Sequence, residues 1–156
     1  MFVSTLKTLG AAALIISISA VGATAADESG DIYEAETIPV TVNLSGVQVA
    51  DGPIYITVQK QEEYMGMKGH RAILKTITPG NMTTIVNVAE PGDYAVSIWH
   101  DMDDDTVFDM DKSYRPAEGW GASGLVPQDR MPKFDDVKIK IGSFGATVNV
   151  PLIYPS

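Results

Sequence analysis

Apolar and polar residues alternate with a period of two along most of the chain. Ile38, Val40, Val42 and Leu44 are interleaved with Pro39, Thr41 and Asn43, and Ile54, Ile56 and Val58 with Tyr55, Thr57 and Gln59. The pattern returns at Tyr94, Val96 and Ile98, at Val137, Ile139 and Ile141, and at Ala146, Val148, Val150 and Leu152. This period puts alternate side chains on opposite faces of an extended strand, so each run predicts a strand with one face in a core. Weaker runs from Arg71 to Ile77 and from Met82 to Val88 bring the expected count to about seven. Asp51-Gly52-Pro53, Pro79-Gly80-Asn81, Pro91-Gly92-Asp93 and Gly142-Ser143 punctuate the runs with turn chemistry. No stretch keeps a helical period. Short amphipathic strands with frequent turns predict an all-β fold, a single antiparallel β-sandwich of the immunoglobulin or transthyretin kind. Val40, Val42, Ile56, Val58, Val96, Ile98, Ile139, Val148 and Val150 are expected to face its core. Pro39 and Pro151 have no N–H for a ladder, which places their strands at edges or at bulges.

One connection breaks the pattern. From His100 to Asp135 no strand is legible, whereas hairpin loops usually run to about five residues. The segment contains Tyr114, Trp120 and Phe134, so it is expected to be ordered and functional rather than a linker.

The first residues change the picture of where the domain begins. Lys7 precedes an apolar run from Leu9 to Ala20, and Ala23 and Ala25 occupy the −3 and −1 places of a signal-peptidase site. Residues 1–25 are therefore expected to be a signal peptide, 26–36 a flexible acidic lead-in, and 37–156 the sandwich. The apolar run is short of the roughly 20 residues that span a bilayer. Cleavage removes Lys7 and no acid, so the formal charge of −9 becomes −10 on a mature chain of 131 residues starting at Ala26. Such a surface disfavours nucleic acid and anionic lipid and attracts cations. With no cysteine there is no disulfide and no lipid attachment through a thiol. The expected location is extracytoplasmic, periplasmic or secreted, with no membrane insertion of the mature chain.

The long connection opens with six Asp in eleven residues, Asp101, Asp103, Asp104, Asp105, Asp109 and Asp111. Placed on an EF-hand-type loop, Asp101, Asp103, Asp105 and Asp109 fall at positions 1, 3, 5 and 9, with the Val107 carbonyl at 7. That spacing suits Ca²⁺, a hard cation wanting about six to eight oxygens. Position 6, normally Gly, is Thr106, and position 12, normally a bidentate Glu, is Lys112. A replacement ligand must then come from Asp111, Glu118 or Asp135, and weak binding is expected, in the ~10⁻⁴–10⁻³ M range. The alternative is a solvated acidic surface. His100 with the Asp cluster also admits zinc or copper, and Met65, Met67, Met102 and Met110 admit a copper site, although gap-filling is the commoner use of Met.

Several segments in a fixed order carry a resemblance. They are Pro91-Gly92-Asp93-Tyr94, His100-Asp101-Met102-Asp103-Asp104-Asp105, Pro116-Ala117-Glu118-Gly119-Trp120-Gly121-Ala122-Ser123 and Pro132-Lys133-Phe134-Asp135-Asp136. Together they resemble the exported bacterial family catalogued as domain of unknown function 2141, over about Asn43 to Tyr154. The resemblance implies an exported β-sandwich and a loop that keeps its oxygen ligands. It supplies no activity, and Thr106 stands where the family usually has Gly.

Near Trp120 the glycines are expected to supply positive φ in a turn, with Trp120 plugging the sandwich edge; a sugar- or peptide-binding aromatic is the other possibility. Gly121-Ala122-Ser123-Gly124-Leu125 is not a nucleophile elbow. No catalytic constellation is recognisable, so the expected function is a non-enzymatic module that binds a protein, peptide or glycan. The alternative is a divalent-metal-dependent hydrolase using the same loop, with Glu118 as base. Metal storage or transport is a third class.

Overall fold

β-Branched residues at alternate positions favour extended backbone, and burying their shared face drives strands into stacked sheets. The computed structural model describes residues 24–26, 32–34, 36–127 and 130–155. Most of the expected signal peptide and lead-in therefore lies outside the described residues. Within the first unit, β1 (Thr24–Ala26) pairs antiparallel with β2 (Ile32–Glu34).

The second unit, Glu36–Ser156, contains two sheets. Its strands are β3 (Ile38–Val47), β4 (Ile54–Gln59), β5 (His70–Leu74), β6 (Gly80–Val88), β7 (Gly92–His100), β8 (Gly119–Ala122), β9 (Lys138–Ile141) and β10 (Ala146–Pro151), with a one-turn helix α1 (Phe134–Val137) before β9. One sheet has the order β10-β3-β6 and the other β5-β4-β7, with β8 and β9 sharing the far edge of β7. β8 covers Ser97–His100 and β9 covers Gly92–Ala95. The result is the expected all-β sandwich. Its ladders are antiparallel except for β10 on β3, which run parallel.

Val40, Val42, Ile56, Val58, Val96, Ile98, Val148 and Val150 are buried, and Ile139 is partly buried against them. Pro151 ends an edge strand, as its missing N–H requires. Pro39 does not: β3 is central, and Pro39 is accommodated because β10 begins to pair only at Val40. Val137 belongs to α1 rather than to a strand.

β7 is covered on both faces. Tyr94, Val96 and Ile98 face the sandwich core, while Ala95 on the opposite face packs with Ala122, Phe134 and Val137. On that same outer face the cross-strand register aligns Ile73, Tyr55, Trp99 and Trp120 in one row. Tyr55 stacks on Trp99 at 4.7 Å between ring centroids, and Phe108 meets Trp99 edge-on at 6.0 Å. The long connection is thus laid across the outer face of this sheet. No helix of the described residues is long and apolar enough to cross a membrane.

Candidate metal centre

β7 ends at His100 and the chain leaves the sheet at Asp101. The Asp101 amide donates to Pro53 O at 3.1 Å, which pins it to the turn before β4. That turn needs Gly52: a Cβ there would lie 2.1 Å from the Asp101 carbonyl oxygen. Asp101 is wholly buried, and its carboxylate accepts the amides of Asp105 (3.2 Å) and Thr106 (3.0 Å). These bonds coil the loop back over Asp101. The coil forces Asp104 to φ 61° and Thr106 to φ 65°, the left-handed region that a β-branched residue enters only at a cost. Position 6 therefore has the backbone that a glycine would take, with Thr106 in it. One oxygen each from Asp101, Asp103 and Asp105 lies within 4.8 Å of the others, and Asp103 and Asp105 are open to solvent. Three carboxylates so placed could hold a metal ion.

The other expected ligands are disposed differently. Asp109 lies outside this cluster, half-buried, with its amide donating to Glu118 Oε2 at 3.1 Å. Val107 donates its amide to Asp105 Oδ1 at 2.7 Å. Of the three replacement ligands none joins the cluster. Asp111 accepts the amides of Ser113 and Arg115 and pairs with the Arg115 guanidinium; the Arg115 amide, followed by the other donors, pulls its carboxyl below the usual range. Asp135 pairs with Lys138 at 2.7 Å. Glu118 is buried and accepts three hydrogen bonds, from Trp99 Nε1 (2.6 Å), the Met102 amide (2.9 Å) and the Asp109 amide. It ties both ends of the acidic loop to the sheet through Trp99. Sequence reasoning offered it as a ligand or base; its clamp role depends on three donors brought together by the fold.

His100 turns inward, onto the core face of β7. It is fully buried, and its Nδ1 lies 2.8 Å from the Tyr154 hydroxyl, which also accepts the Gln48 amide. Burial pushes its pKa below the ordinary imidazole value, which favours a neutral ring. His70 pairs with Val58 at one end of β4, whereas His100 pairs with Ile54 at the other. Met65 and Met67 belong to the loop at the His70 end, and Met102 and Met110 to the loop at the His100 end, so the chain does not gather a Met/His set.

Beyond Asp109 the loop forms a tight bend. Met110 bridges Pro116, the Asp111 amide donates to Arg115 O at 2.7 Å, and the Tyr114 amide donates to Asp111 O at 3.0 Å. Tyr114, at φ 59° and 86% exposed, is held at the tip. The glycines of Gly119-Trp120-Gly121 lie in β8, and neither has positive φ. They are needed for space: a Cβ on Gly119 would lie 2.4 Å from the Tyr154 ring, and one on Gly121 would lie 2.7 Å from Pro151 O. Trp120 exchanges backbone hydrogen bonds with Ile153, tying the C-terminal segment to β8. Between bend, β8 and C-terminal segment lies an open groove of ≈ 690 Å³, lined in part by Tyr114, Arg115, Trp120, Arg130 and Tyr154.

The chain belongs to the family described as "Uncharacterized protein conserved in bacteria (DUF2141)", which it matches over residues 42–149. No curated protein and no solved structure matches it.

Proposed function

We propose that this protein is an exported, non-enzymatic binding module whose acidic loop takes one Ca²⁺, and that the ion stiffens the long connection for recognition of a protein, peptide or glycan. Asp101, Asp103 and Asp105 supply the first three ligands, and the Val107 carbonyl and Asp109 complete the protein's share. The observation that carries this reading is the convergence of three carboxylates around a turn whose sixth residue, Thr106, sits at φ 65°. Like charges gathered so closely repel, and a divalent cation removes the repulsion. The two amides already bound to Asp101 leave second lone pairs on its oxygens for an ion. The hydrolase alternative would need Glu118 to act as base while three donors hold its oxygens, which disfavours that role.

Calcium titration of the melting temperature tests the loop. An ion that binds only the folded form at ten times its Kd stabilises it by roughly 1.4 kcal/mol, a rise of a few degrees. Magnesium is expected to do less, because it holds its waters and demands octahedral geometry. Asp103→Ala should abolish the calcium shift, and Asp104→Ala should leave it nearly intact. Equal shifts from calcium and magnesium, or equal behaviour of the two variants, would mean that the loop is a solvated acidic surface. Tight zinc or manganese binding would instead favour the hydrolase. Export is tested separately: the intact mass of the protein recovered outside the cytoplasm should correspond to a start at Ala26.

A further inference from the structure

We infer that the groove between the Asp111–Pro116 bend, β8 and the C-terminal segment is a binding site for a neutral saccharide. This rests on the binding-module reading and names the ligand class. The groove is lined by aromatic residues from three separate segments, Tyr114 in the bend, Trp120 in β8 and Tyr154 near the C-terminus, of which Tyr154 also packs against the core. Its volume of ≈ 690 Å³ lies in the range of small-ligand clefts. Tyr114 is the telling residue. A tyrosine gains nothing for the fold by standing 86% exposed with φ 59°, since a glycine would relieve the strain and lose no packing. The bend that holds it is fixed by the Asp111 carboxylate and the Met110–Pro116 bridge, so the ring is presented at little entropic cost.

Charge decides among ligands. The chain is strongly acidic, at −9, which works against a polyanionic partner. Within the groove the guanidinium groups are balanced locally, Arg115 by Asp111 and Arg130 by Asp136. An acidic peptide therefore meets no uncompensated positive charge. A wholly apolar ligand would strip water from Asp111, Ser113 and Arg115 without replacing its hydrogen bonds. A pyranose satisfies both requirements. Its C–H face lies on an aromatic ring, and its hydroxyls both donate to the Asp111 carboxylate and accept from the Arg115 guanidinium.

The test is an array of neutral oligosaccharides, uronate-containing oligosaccharides and proline-rich peptides, probed with the purified protein in calcium buffer. Hits are then titrated by isothermal calorimetry. Binding of neutral oligosaccharides is expected, with affinity lowered at least about tenfold, or 1.4 kcal/mol, by Tyr114→Gly and by Trp120→Ala. Tyr114→Gly is expected to keep or raise the melting temperature, so its loss of binding cannot come from unfolding. Phe144→Ala, which alters the fully exposed tip of the β9–β10 turn, should leave affinity unchanged. No neutral-sugar binding, preference for uronates or proline-rich peptides, or binding indifferent to both groove variants would overturn the inference. The calcium shift is measured on the same protein. A shift without sugar binding sinks the saccharide site alone, and absence of the shift sinks the calcium loop alone.

Discussion

Between the two sheets, Val40, Val42, Ile56, Val58, Val96, Ile98, Val148 and Val150 are held by backbone ladders and by removal of apolar surface from water. From Asp101 to Val137, outside the β8 ladder, side-chain oxygens that accept amides supplement the local backbone turns. Asp101 holds Asp105 and Thr106; Glu118 holds Met102 and Asp109; Asp111 holds Ser113 and Arg115; Asp136 holds Lys133. Ser123, buried, accepts the Val96 amide and donates to Val137 O at 2.5 Å. The sandwich thus depends on volume and burial, whereas the connection adds individual acceptors to the β8 ladder and to the Ala122, Phe134 and Val137 packing. An acidic residue in such a segment can serve as ligand, as backbone clamp, or as both. Asp101 is placed for both, and Glu118 clamps the loop through three donors.

The largest expected effect falls on the sandwich. Ile98→Asp puts an unpaired charge between the sheets and should cost about 4 kcal/mol or more, read as a collapse of the urea midpoint. A small change would show that burial is not what holds this region. Glu118→Gln comes next. Its amide nitrogen would face donors where a carboxylate oxygen now accepts, and about 2 kcal/mol should be lost. The change should appear first in the fluorescence of Trp99, ahead of the global unfolding signal. If global unfolding and the Trp99 signal move together, the connection is not a separately held region.

Thr106→Gly should have a smaller and opposite effect. It relieves a left-handed β-branched residue, an expected gain of about 1 kcal/mol without metal, and should tighten calcium binding. Loss of stability would mean that the Thr106 side chain supports the loop. The smallest effect concerns Asp136, whose carboxyl is held down to about 2, chiefly by the Arg130 guanidinium and then by the Lys133 amide. Its folded value is below its unfolded value of about 3.8. Its stabilisation is therefore present above that pH and is lost as pH falls towards about 2. Asp136→Asn should be slightly less stable than wild type at neutral pH, and the gap should close between pH 4 and 2 in thermal melts.

The alternation of Ile, Val and Tyr determined the strands and their inner faces without outside help, because one-face burial has a period that any pairing partner must respect. The spacing of Asp101, Asp103 and Asp105 is local, and a coiled loop brings these three together, whereas Asp109, placed with them by the same spacing, lies outside the cluster. Partner choice was not written in that local code. Only the tertiary structure decided that β10 runs parallel to β3, that Pro39 is tolerated in a central strand, and that Gly119-Trp120-Gly121 is a strand. The strand lacks alternating apolar residues because Tyr154 and Pro151 leave no room for a Cβ at Gly119 or Gly121. The outer cover of β7 and the three donors on Glu118 were equally hidden. They depend on residues far apart in the chain that meet only after the sheets have formed.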